Sequence, residues 1–328
     1  MSDKNLIINF AKLYTDVIDN FEIKSGGHNT IYIIKGNKNF ALRITPIYHR
    51  NLEEIKSEID FMLYLQSHGV PLTKPVQGIS GDYCYKRHAD DKIWIISAFE
   101  IGVGVECYER VYTPELMSAE GKTLGKIHRF AKNYTPVGVQ SRRQWYQNPN
   151  LVNTYEVLKG YNQKLFDIFE AHIENMKNLP ESKDSFGMIH GDYALMNYFT
   201  DGNNVTVFDF DECEYSWFIS DIAGWFVRLM LGGQQPANLN SRTEEAAKCF
   251  SDFMQGYLTE NTISIDQIKN IDLFFRIYEY TWLSYNLKRR GEGFDEWTRE
   301  LVNGILERIL NERIFIDVDF VSIYNRIK

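Results

Sequence analysis

The chain has 328 residues, of which 44% are hydrophobic and 24% charged, and its formal net charge is −8. These values are typical of a globular protein with a substantial core, in one large domain or two smaller ones, and they exclude a disordered chain. The acidic balance, without a basic cluster, excludes a nucleic-acid binder. No apolar run approaches the ~18 residues that would indicate a membrane span.

The four cysteines are far apart, at positions 84, 107, 213 and 249. No pair has the CxxC spacing of a zinc or redox motif, so we expect reduced thiols in a cytoplasmic protein. The first ten residues carry charges and lack a continuous apolar region, so they do not predict a secretory signal.

Residues 1–99 alternate between the apolar spacing of helices and that of strands. Gly36-Asn37 separates two strand-like runs and is a hairpin turn signal, and Gly69 with Pro71 ends a helical pattern. The predicted elements, in chain order, are a helix over residues 5–18, strands over residues 21–24, 31–35 and 40–44, a helix over residues 52–68, and strands over residues 83–86 and 93–99.

The chain beyond residue 106 is predicted to be mainly helical. Helical spacing covers residues 114–130, a long stretch within 151–179, and the chain from residue 221 onward, whereas residues 188–211 consist of short apolar runs with polar interruptions. We therefore predict an α+β fold. A small antiparallel sheet lobe over residues 1–99 is joined by a linker over 100–106 to a larger helical lobe over 107–328.

The most informative stretch is MIHGDYALMNYFTDGNNVTVFDFD, which ends at residue 211. Phosphoryl transfer from ATP needs one carboxylate beside the acceptor hydroxyl, and an amide oxygen with a second carboxylate to hold Mg²⁺. Asp192 suits the first task, and Asn197 with Asp209 suits the second. The spacing matches the HxDxxxxN loop and following acid of protein kinases. The alternative is that these side chains only bond their own turns.

HGDYALMN, then VFDFDECE, then Asp221-Ile222-Ala223 resemble the aminoglycoside phosphotransferase family, which includes choline kinases and one type of homoserine kinase. The resemblance runs from Gly26 to about Arg228. It implies a bilobal protein-kinase-like fold with ATP between the lobes. His190 is then expected to support the catalytic loop by a hydrogen bond. Asp221 is expected to bond loop amides from the start of a helix.

The segment Ser25-Gly26-Gly27-His28-Asn29 lies between two predicted strands. Glycines there allow backbone amides to approach a triphosphate. The stretch resembles the short nucleotide loop of the family, which commonly ends in Asn, so Gly26, Gly27 and Asn29 are predicted to bind the nucleotide. A glycine pair in a hairpin is equally well explained as an ordinary turn.

Arg43, in the run FALRI, occupies the position where related kinases place a phosphate-binding lysine. Arginine keeps its charge and can bind phosphate oxygens through two nitrogens. Its expected partner is a carboxylate on the following helix, either Glu58, which we favour, or Glu54 one turn earlier. The alternative for both acids is a solvated helix face.

Residues 97–101 are predicted to form the strand and linker that bind adenine through backbone groups. Phe99 and Ile101 are the apolar candidates for contacts above and below the ring. No side chain in this stretch separates ATP from GTP.

The acceptor is less well defined by the sequence. Asp211, Glu212, Glu214 and Glu279 are candidate contacts to a cationic group, because carboxylates and nearby rings suit an amine. The alternative is that the rings pack in the core and the acids lie on the surface.

The sequence therefore predicts a kinase that uses ATP and Mg²⁺ to phosphorylate a hydroxyl of a small molecule. A Ser/Thr protein kinase of the stress-response type is the first alternative. A non-catalytic pseudokinase is the second, and the intact Asp192, Asn197 and Asp209 argue against it. We expect a small-molecule acceptor and neither a nucleic-acid nor a membrane partner. The oligomeric state is not predicted.

Overall fold

The structure is a computed structural model that describes residues 4–26, 28–106, 113–232, 239–289 and 293–328. The chain forms two compact units, and each combines separate stretches of sequence. Unit 1 comprises residues 1–109, 133–142 and 197–211, and unit 2 comprises residues 110–132, 143–196 and 212–328. The functional lobe boundaries at residues 99 and 106 stay a prediction.

Unit 1 contains a five-stranded antiparallel sheet with the strand order β1-β2-β3-β5-β4. The predicted strands are present, each within a few residues of its expected ends. The elements of this part are α1 (Lys4–Ala11), β1 (Asn20–Gly26), β2 (Thr30–Lys35), β3 (Phe40–Pro46), α2 (Leu52–Ser67), β4 (Cys84–Ala89) and β5 (Lys92–Phe99).

The helix α1 is shorter than predicted, because a side chain of the following segment forms competing bonds. Thr15 Oγ1 donates to Asn37 Oδ1 over 2.6 Å, and it accepts the main-chain N–H of Val17 over 3.3 Å. Such local bonds offer the backbone an alternative to the helix. The apolar spacing that predicted a helix to residue 18 therefore continues past its end.

The alternation of β3 determines which side chains meet each helix. Phe40, Leu42 and Ile44 belong to the cluster that α1 covers. Ile95 of β5 packs instead with Ile55 and Ile59 of α2. Because successive side chains of a strand point to opposite faces, Arg43 lies on the face that α2 covers.

A second, three-stranded sheet of unit 1 has the order β6-β8-β9. Its strands are β6 (Val105–Glu106), β8 (Tyr198–Asp201) and β9 (Asn204–Val207). The strands β8 and β9 form a hairpin, with Asp201 paired to Asn204 at its turn. The polar segment that follows β9 therefore starts from a defined strand end.

Unit 2 is mainly helical and contains one antiparallel strand pair, β7 with β10. No helix of the described residues is long and apolar enough to cross a membrane. The elements are α3 (Pro114–Ala131), α4 (Pro149–Tyr161), α5 (Gln163–Lys177), β7 (Phe186–Ile189), β10 (Glu214–Trp217), α6 (Phe218–Gly232), α7 (Leu239–Glu260), α8 (Ile265–Lys269), α9 (Ile271–Arg289), α10 (Glu296–Leu310) and α11 (Phe320–Ile327).

Two features of unit 2 differ from the sequence prediction. The long helix expected within residues 151–179 is two helices, because Asn162 is extended (φ −157°, ψ 120°) and its side chain caps α5 by accepting from Leu165 N. The strand β10 was not predicted. Its ladder partner β7 lies more than twenty residues earlier in the chain, so no local pattern indicates the pairing.

Helices α3 and α7 approach closely through glycines. A side-chain Cβ at Gly121 would overlap the carbonyl oxygen of Phe253, and one at Gly256 would overlap the carbonyl oxygen of Ser118. The two backbones therefore touch where neither helix has a side chain. This contact fixes the position of α3, which carries His128.

The glycine contact predicts the effect of an added methyl group. We expect Gly121→Ala to lower the free energy of unfolding by about 1–3 kcal/mol, because the new Cβ meets backbone that cannot move aside. Gly160→Ala is the matched control, since Gly160 is also helical but has no atom within 4 Å of a built Cβ. We expect it to be neutral or stabilising by up to ~1 kcal/mol. Urea unfolding measures both, and equal destabilisation would contradict the account.

Candidate active site

The guanidinium of Arg43 forms a buried, two-bond ion pair with Glu58. Nη1 donates to Oε1 over 2.8 Å and Nη2 to Oε2 over 2.7 Å, while Nε donates to Ser97 Oγ over 3.1 Å. Burial lowers the pKa of Arg43, but the charge and hydrogen bonds of Glu58, with the charges of two further aspartates, together raise it by more, so the net shift is upward. The side chain of Arg43 is 4% exposed and that of Glu58 is 0% exposed. Contact of Arg43 with a phosphate stays a prediction.

The structure distinguishes the two candidate partners of Arg43. Glu54 accepts the main-chain N–H of Asn51 over 2.9 Å and closes the N-terminal cap of α2. Glu58, one turn later, is fully buried against Arg43. The favoured pairing with Glu58 is therefore confirmed, while its role in nucleotide binding stays a prediction.

The predicted adenine residues follow β5. Phe99 is the last residue of that strand, and Arg43 Cζ lies 4.7 Å from its ring centroid. Ile101 is 41% exposed, two residues further along. The structure therefore places one of these apolar side chains against the Arg43 cation and leaves the other accessible. Their contacts with adenine stay a prediction.

The loop between β1 and β2 is attached to the end of β3. Asn29 Oδ1 accepts from Thr45 Oγ1 over 2.8 Å. The ring of His28 stacks on that of His49, with centroids 4.6 Å apart. Gly26 ends β1 opposite Thr30, and Gly27 lies outside the described residues. The last part of the predicted nucleotide loop thus has one side-chain contact with β3 and one with the turn that follows it.

The predicted magnesium ligands Asn197 and Asp209 are brought together by the main chain. The residue before Asp209, Phe208, donates its N–H to the carbonyl oxygen of Asn197 over 2.9 Å. Asp209 has a φ of 62°, a left-handed conformation that side-chain-bearing residues seldom adopt and that often marks functional sites. The amide of Asn197 and the exposed carboxylate of Asp209 are oxygen ligands of the kind that Mg²⁺ prefers, and the metal site itself stays a prediction.

The two residues that follow Asp209, Phe210 and Asp211, are both buried. Phe210 is 0% exposed and packs edge-on against Phe61. The Asp211 carboxylate contacts His49 Nε2 over 2.7 Å and Arg50 Nε over 3.3 Å. These anchors hold the backbone that presents Asp209.

Asp211 is therefore engaged inside unit 1 and is only 6% exposed. Burial alone would raise its pKa, but the hydrogen bond from His49 and the charge of Arg50 bring it below the ordinary value. This arrangement indicates a structural carboxylate and speaks against the predicted contact with a substrate.

In unit 2, the loop after β7 is bound by the buried carboxylate of Asp221. Its Oδ2 accepts the N–H of His190 over 2.8 Å, and its Oδ1 accepts that of Gly191 over 2.9 Å. Asp221 lies in the first turn of α6, as predicted from the sequence. Gly191 has a φ of 80°, and a Cβ there would overlap the carbonyl oxygen of Glu212.

A histidine from α3 completes this group. His128 Nε2 lies 3.1 Å from Asp221 Oδ2, and its Nδ1 lies 3.0 Å from Tyr257 Oη. Burial lowers the pKa of His128 despite the nearby carboxylate. Burial raises the pKa of Asp221, but the hydrogen bonds and charges of His128 and His190 together outweigh this and lower it. The sequence did not single out His128, because its partners come from α6 and α7.

Asp192 follows this bound loop directly. Its N–H donates to His190 Nδ1 over 3.3 Å, the supporting bond expected of that histidine, which is itself 0% exposed. The Asp192 side chain forms an ion pair with Arg228 of α6 and keeps 29% of its surface exposed. The sequence prediction missed Arg228. Its only signal is the position seven residues after Asp221, on the same helix face.

The remaining acids predicted to contact a substrate are all paired with arginines. Arg143 contacts Glu212 over 2.6 Å and Glu214 over 2.9 Å. Burial raises the pKa of Glu214 to about 7, against the opposing charge of Arg143. Glu279 is 0% exposed and contacts Arg276 over 2.8 Å and Arg308 over 2.6 Å.

These pairings separate the candidates. Glu279 is a buried structural carboxylate, which speaks against the predicted contact with a substrate. Glu212 keeps a quarter of its side chain exposed, at 25%, whereas Glu214 keeps 10%. Glu212 is therefore the most accessible of the four acids for a bound cation.

Solved structures show which fold this is. An amicoumacin kinase, hAmiN, solved in complex with AMP-PNP, Ca²⁺ and Ami, has a TM-score of 0.90 at 20% identity, covering 98% of this chain and 97% of its own. A microcompartment-associated aminopropanol kinase has a TM-score of 0.72 at 18% identity, covering 99% and 100%. A GDP complex of aminoglycoside 2'-phosphotransferase-IIIa has a TM-score of 0.63 at 16% identity, covering 95% and 100%. The predicted α+β, protein-kinase-like fold is confirmed.

The family follows from sequence comparison. A model of the phosphotransferase enzyme family matches residues 22–257, well over half of the chain. The chain belongs to this family. It is also similar to an amicoumacin kinase of Bacillus subtilis (strain 168), 22% identical over 313 residues that cover 92% of this chain and 93% of the relative. These relatives favour a small-molecule phosphotransferase over the protein kinase and pseudokinase alternatives.

The buried ion pair of unit 1 predicts a non-additive effect on stability. We expect Arg43→Met or Glu58→Met to lower the free energy of unfolding by about 3–5 kcal/mol, because each leaves one buried charge without its partner. The double variant should lose less than the sum of the two. Urea unfolding of the four proteins measures this. Lys269→Met, from an exposed pair with Asp266, is the control with little expected effect. Additive losses at positions 43 and 58 would contradict the account.

Proposed function

We propose that this protein transfers the γ-phosphoryl group of ATP, with Mg²⁺, to a hydroxyl group of a small molecule that carries an amine. The observation that carries the proposal is the anchoring of the Asp192, Asn197 and Asp209 motif. Asp192 follows a loop bound by Asp221, and Asp209 follows Phe208, whose N–H donates to the carbonyl oxygen of Asn197. A phosphotransferase needs these groups at fixed positions, since its catalysis is mainly positioning and charge stabilisation.

Asn197 and Asp209 are the proposed ligands of Mg²⁺. The metal neutralises charge on the transferred phosphate and lowers the cost of bringing a nucleophile to it. The left-handed backbone of Asp209 directs one carboxylate out of an otherwise buried segment. The exposed acid and the neighbouring amide then supply hard oxygen ligands, as this cation prefers.

Asp192 is the proposed contact of the acceptor hydroxyl. A carboxylate in this role accepts a hydrogen bond from the hydroxyl and takes its proton as the phosphate bond forms. His190 and Asp221 act on the backbone of the same loop, so their proposed part is to hold it in place.

The nucleotide is proposed to bind unit 1. Asn29 with Gly26 and Gly27 is the proposed phosphate loop, and Arg43, paired with Glu58, is a further proposed phosphate contact. The adenine contacts are Phe99 and Ile101. This assignment is supported by the tie of Asn29 to Thr45 and by the contact of Arg43 with Phe99.

The amine in the acceptor is supported by two observations. The formal net charge of −8 favours the approach of cationic molecules over that of anionic ones. In addition, Glu212 keeps part of its carboxylate accessible. The relatives carry names of amine-bearing acceptors, among them aminopropanol, which has one hydroxyl and one amine. We therefore propose amino alcohols and aminated antibiotics as the acceptor class.

Turnover and nucleotide binding test the assigned roles. With MgATP, we expect ADP release in the presence of amicoumacin, 1-amino-2-propanol, spectinomycin or choline. Asp192→Asn should reduce turnover by about 10²–10⁴-fold while MgATP binding persists, because only the acceptor contact is lost. Asp209→Ala should weaken MgATP binding as well as turnover.

The control for these variants is Asp201→Asn, an exposed acid at the β8–β9 turn with no assigned role. A coupled ADP assay measures turnover, and a thermal shift measures binding. If no ADP is formed from ATP with any of the four acceptors, and MgATP gives no thermal shift, the proposed function is overturned. Equal loss of MgATP binding in the Asp192 and Asp209 variants would refute the division of roles.

A further inference from the structure

The guanidinium of Arg228 contacts the carboxylate proposed to bind the acceptor. Arg228 Nη2 pairs with Asp192 Oδ1, and the two side chains are 22% and 29% exposed. The pair therefore lies at the edge of the unit 2 core, with part of the carboxylate accessible to a ligand. The family motif did not include this arginine.

One face of α6 supports both the backbone and the side chain of the loop. Gly224 and Arg228 lie three and seven residues after Asp221, and residues at these spacings share a helix face. Asp221 binds the N–H groups of His190 and Gly191. Arg228, two turns further along α6, binds the side chain of Asp192, the residue that follows Gly191. A single rigid helix thus sets the position of consecutive parts of the loop.

Arg228 is itself held by a ring from α9. Its Cζ lies 5.2 Å from the ring centroid of Tyr278, whose hydroxyl donates to the carbonyl oxygen of Ser220 over 3.3 Å. A Cβ at Gly224 would overlap that hydroxyl and lie 3.0 Å from Arg228 Nη1. The missing side chain at position 224 makes room for both groups. A planar guanidinium suits this place, since it can stack on the ring and still bond a carboxylate.

The charge of Arg228 is stable in this setting. Burial lowers its pKa, but the charges of Asp192, Tyr278 and Asp221 and the hydrogen bond with Tyr278 together raise it by more, so the net shift is upward. The guanidinium is therefore a cation at neutral pH.

We propose that Arg228 is a positioning residue that orients the Asp192 carboxylate toward the acceptor hydroxyl. The inference rests on the proposed function, because it gives Arg228 a role only if Asp192 meets an acceptor. With one oxygen bonded to a fixed guanidinium, the carboxylate loses rotational freedom before the substrate arrives. Good geometry matters at this step, since a shift of ~1 Å costs about 10²-fold in rate.

The test compares Arg228 with an arginine in a similar setting elsewhere in unit 2. Arg129 contacts Glu260 over 3.0 Å and lies over the ring of Phe130 at 4.6 Å, so it also combines an ion pair with a ring contact. We expect Arg228→Met to lower kcat by about 10²-fold and to leave the KM for MgATP unchanged. Arg129→Met should leave kcat unchanged. Thermal unfolding midpoints establish that the variants fold.

Two further variants separate positioning from a structural role. Arg228→Lys keeps the charge but loses the planar stack on Tyr278, so its kcat should lie between those of the wild type and Arg228→Met. Added guanidinium ion should raise the kcat of Arg228→Ala and have no such effect on Arg129→Ala. If Arg228→Met does not fold, the Lys variant and the rescue of the Ala variant decide the question.

The outcomes distinguish this inference from the function on which it rests. No turnover by the wild type with any of the four acceptors, together with no thermal shift in MgATP, overturns both. Turnover by the wild type, with unchanged kcat in a folded Arg228→Met, overturns the inference alone. A fall in kcat with an equal rise in the KM for MgATP, and no rescue by guanidinium, assigns Arg228 a structural role and also overturns it.

Discussion

The structure of the loop that precedes Asp192 depends on one buried carboxylate, that of Asp221. It is 1% exposed, and a buried charge is costly unless its oxygens are bonded. Here the N–H groups of His190 and Gly191 and the ring of His128 supply those bonds. If the loop left this position, the buried carboxylate oxygens of Asp221 would lose hydrogen-bond donors. The rigidity of the segment before Asp192 follows from that cost.

In unit 1, the side chain of Asp209, which is proposed to bind the metal, is held in position in a different way. Phe210 and Asp211 are buried, by packing on Phe61 and by pairing with His49. The exposed Asp209 is thus the outward member of a short segment that is otherwise fixed in the core, and its left-handed φ of 62° is maintained by its buried neighbours. In both units the carboxylate proposed to act in phosphoryl transfer is adjacent in sequence to groups that the core binds.

The sequence predicted most of the elements, because apolar periodicity is a local property. It also predicted the positions of Asp221 and His190, since the order of the motif fixes them. It could not predict β10 or the partner Arg228, because these depend on residues far away in the chain. The same limit explains the expectation that Glu279 contacts a substrate. It is an acid near aromatic residues in the sequence, but arginines on α9 and α10 neutralise its charge in the structure.

The most direct test of the account is the exchange of the main-chain amide hydrogens in the loop, measured by native-state hydrogen exchange. The wild type should protect the amides of His190 and Gly191 as strongly as those of β7. In a folded Asp221→Asn variant, these two amides should exchange much faster while β7 stays protected, because an asparagine side chain cannot accept both N–H groups through charged oxygens. Unchanged protection of His190 and Gly191 in that variant would contradict the central role of Asp221.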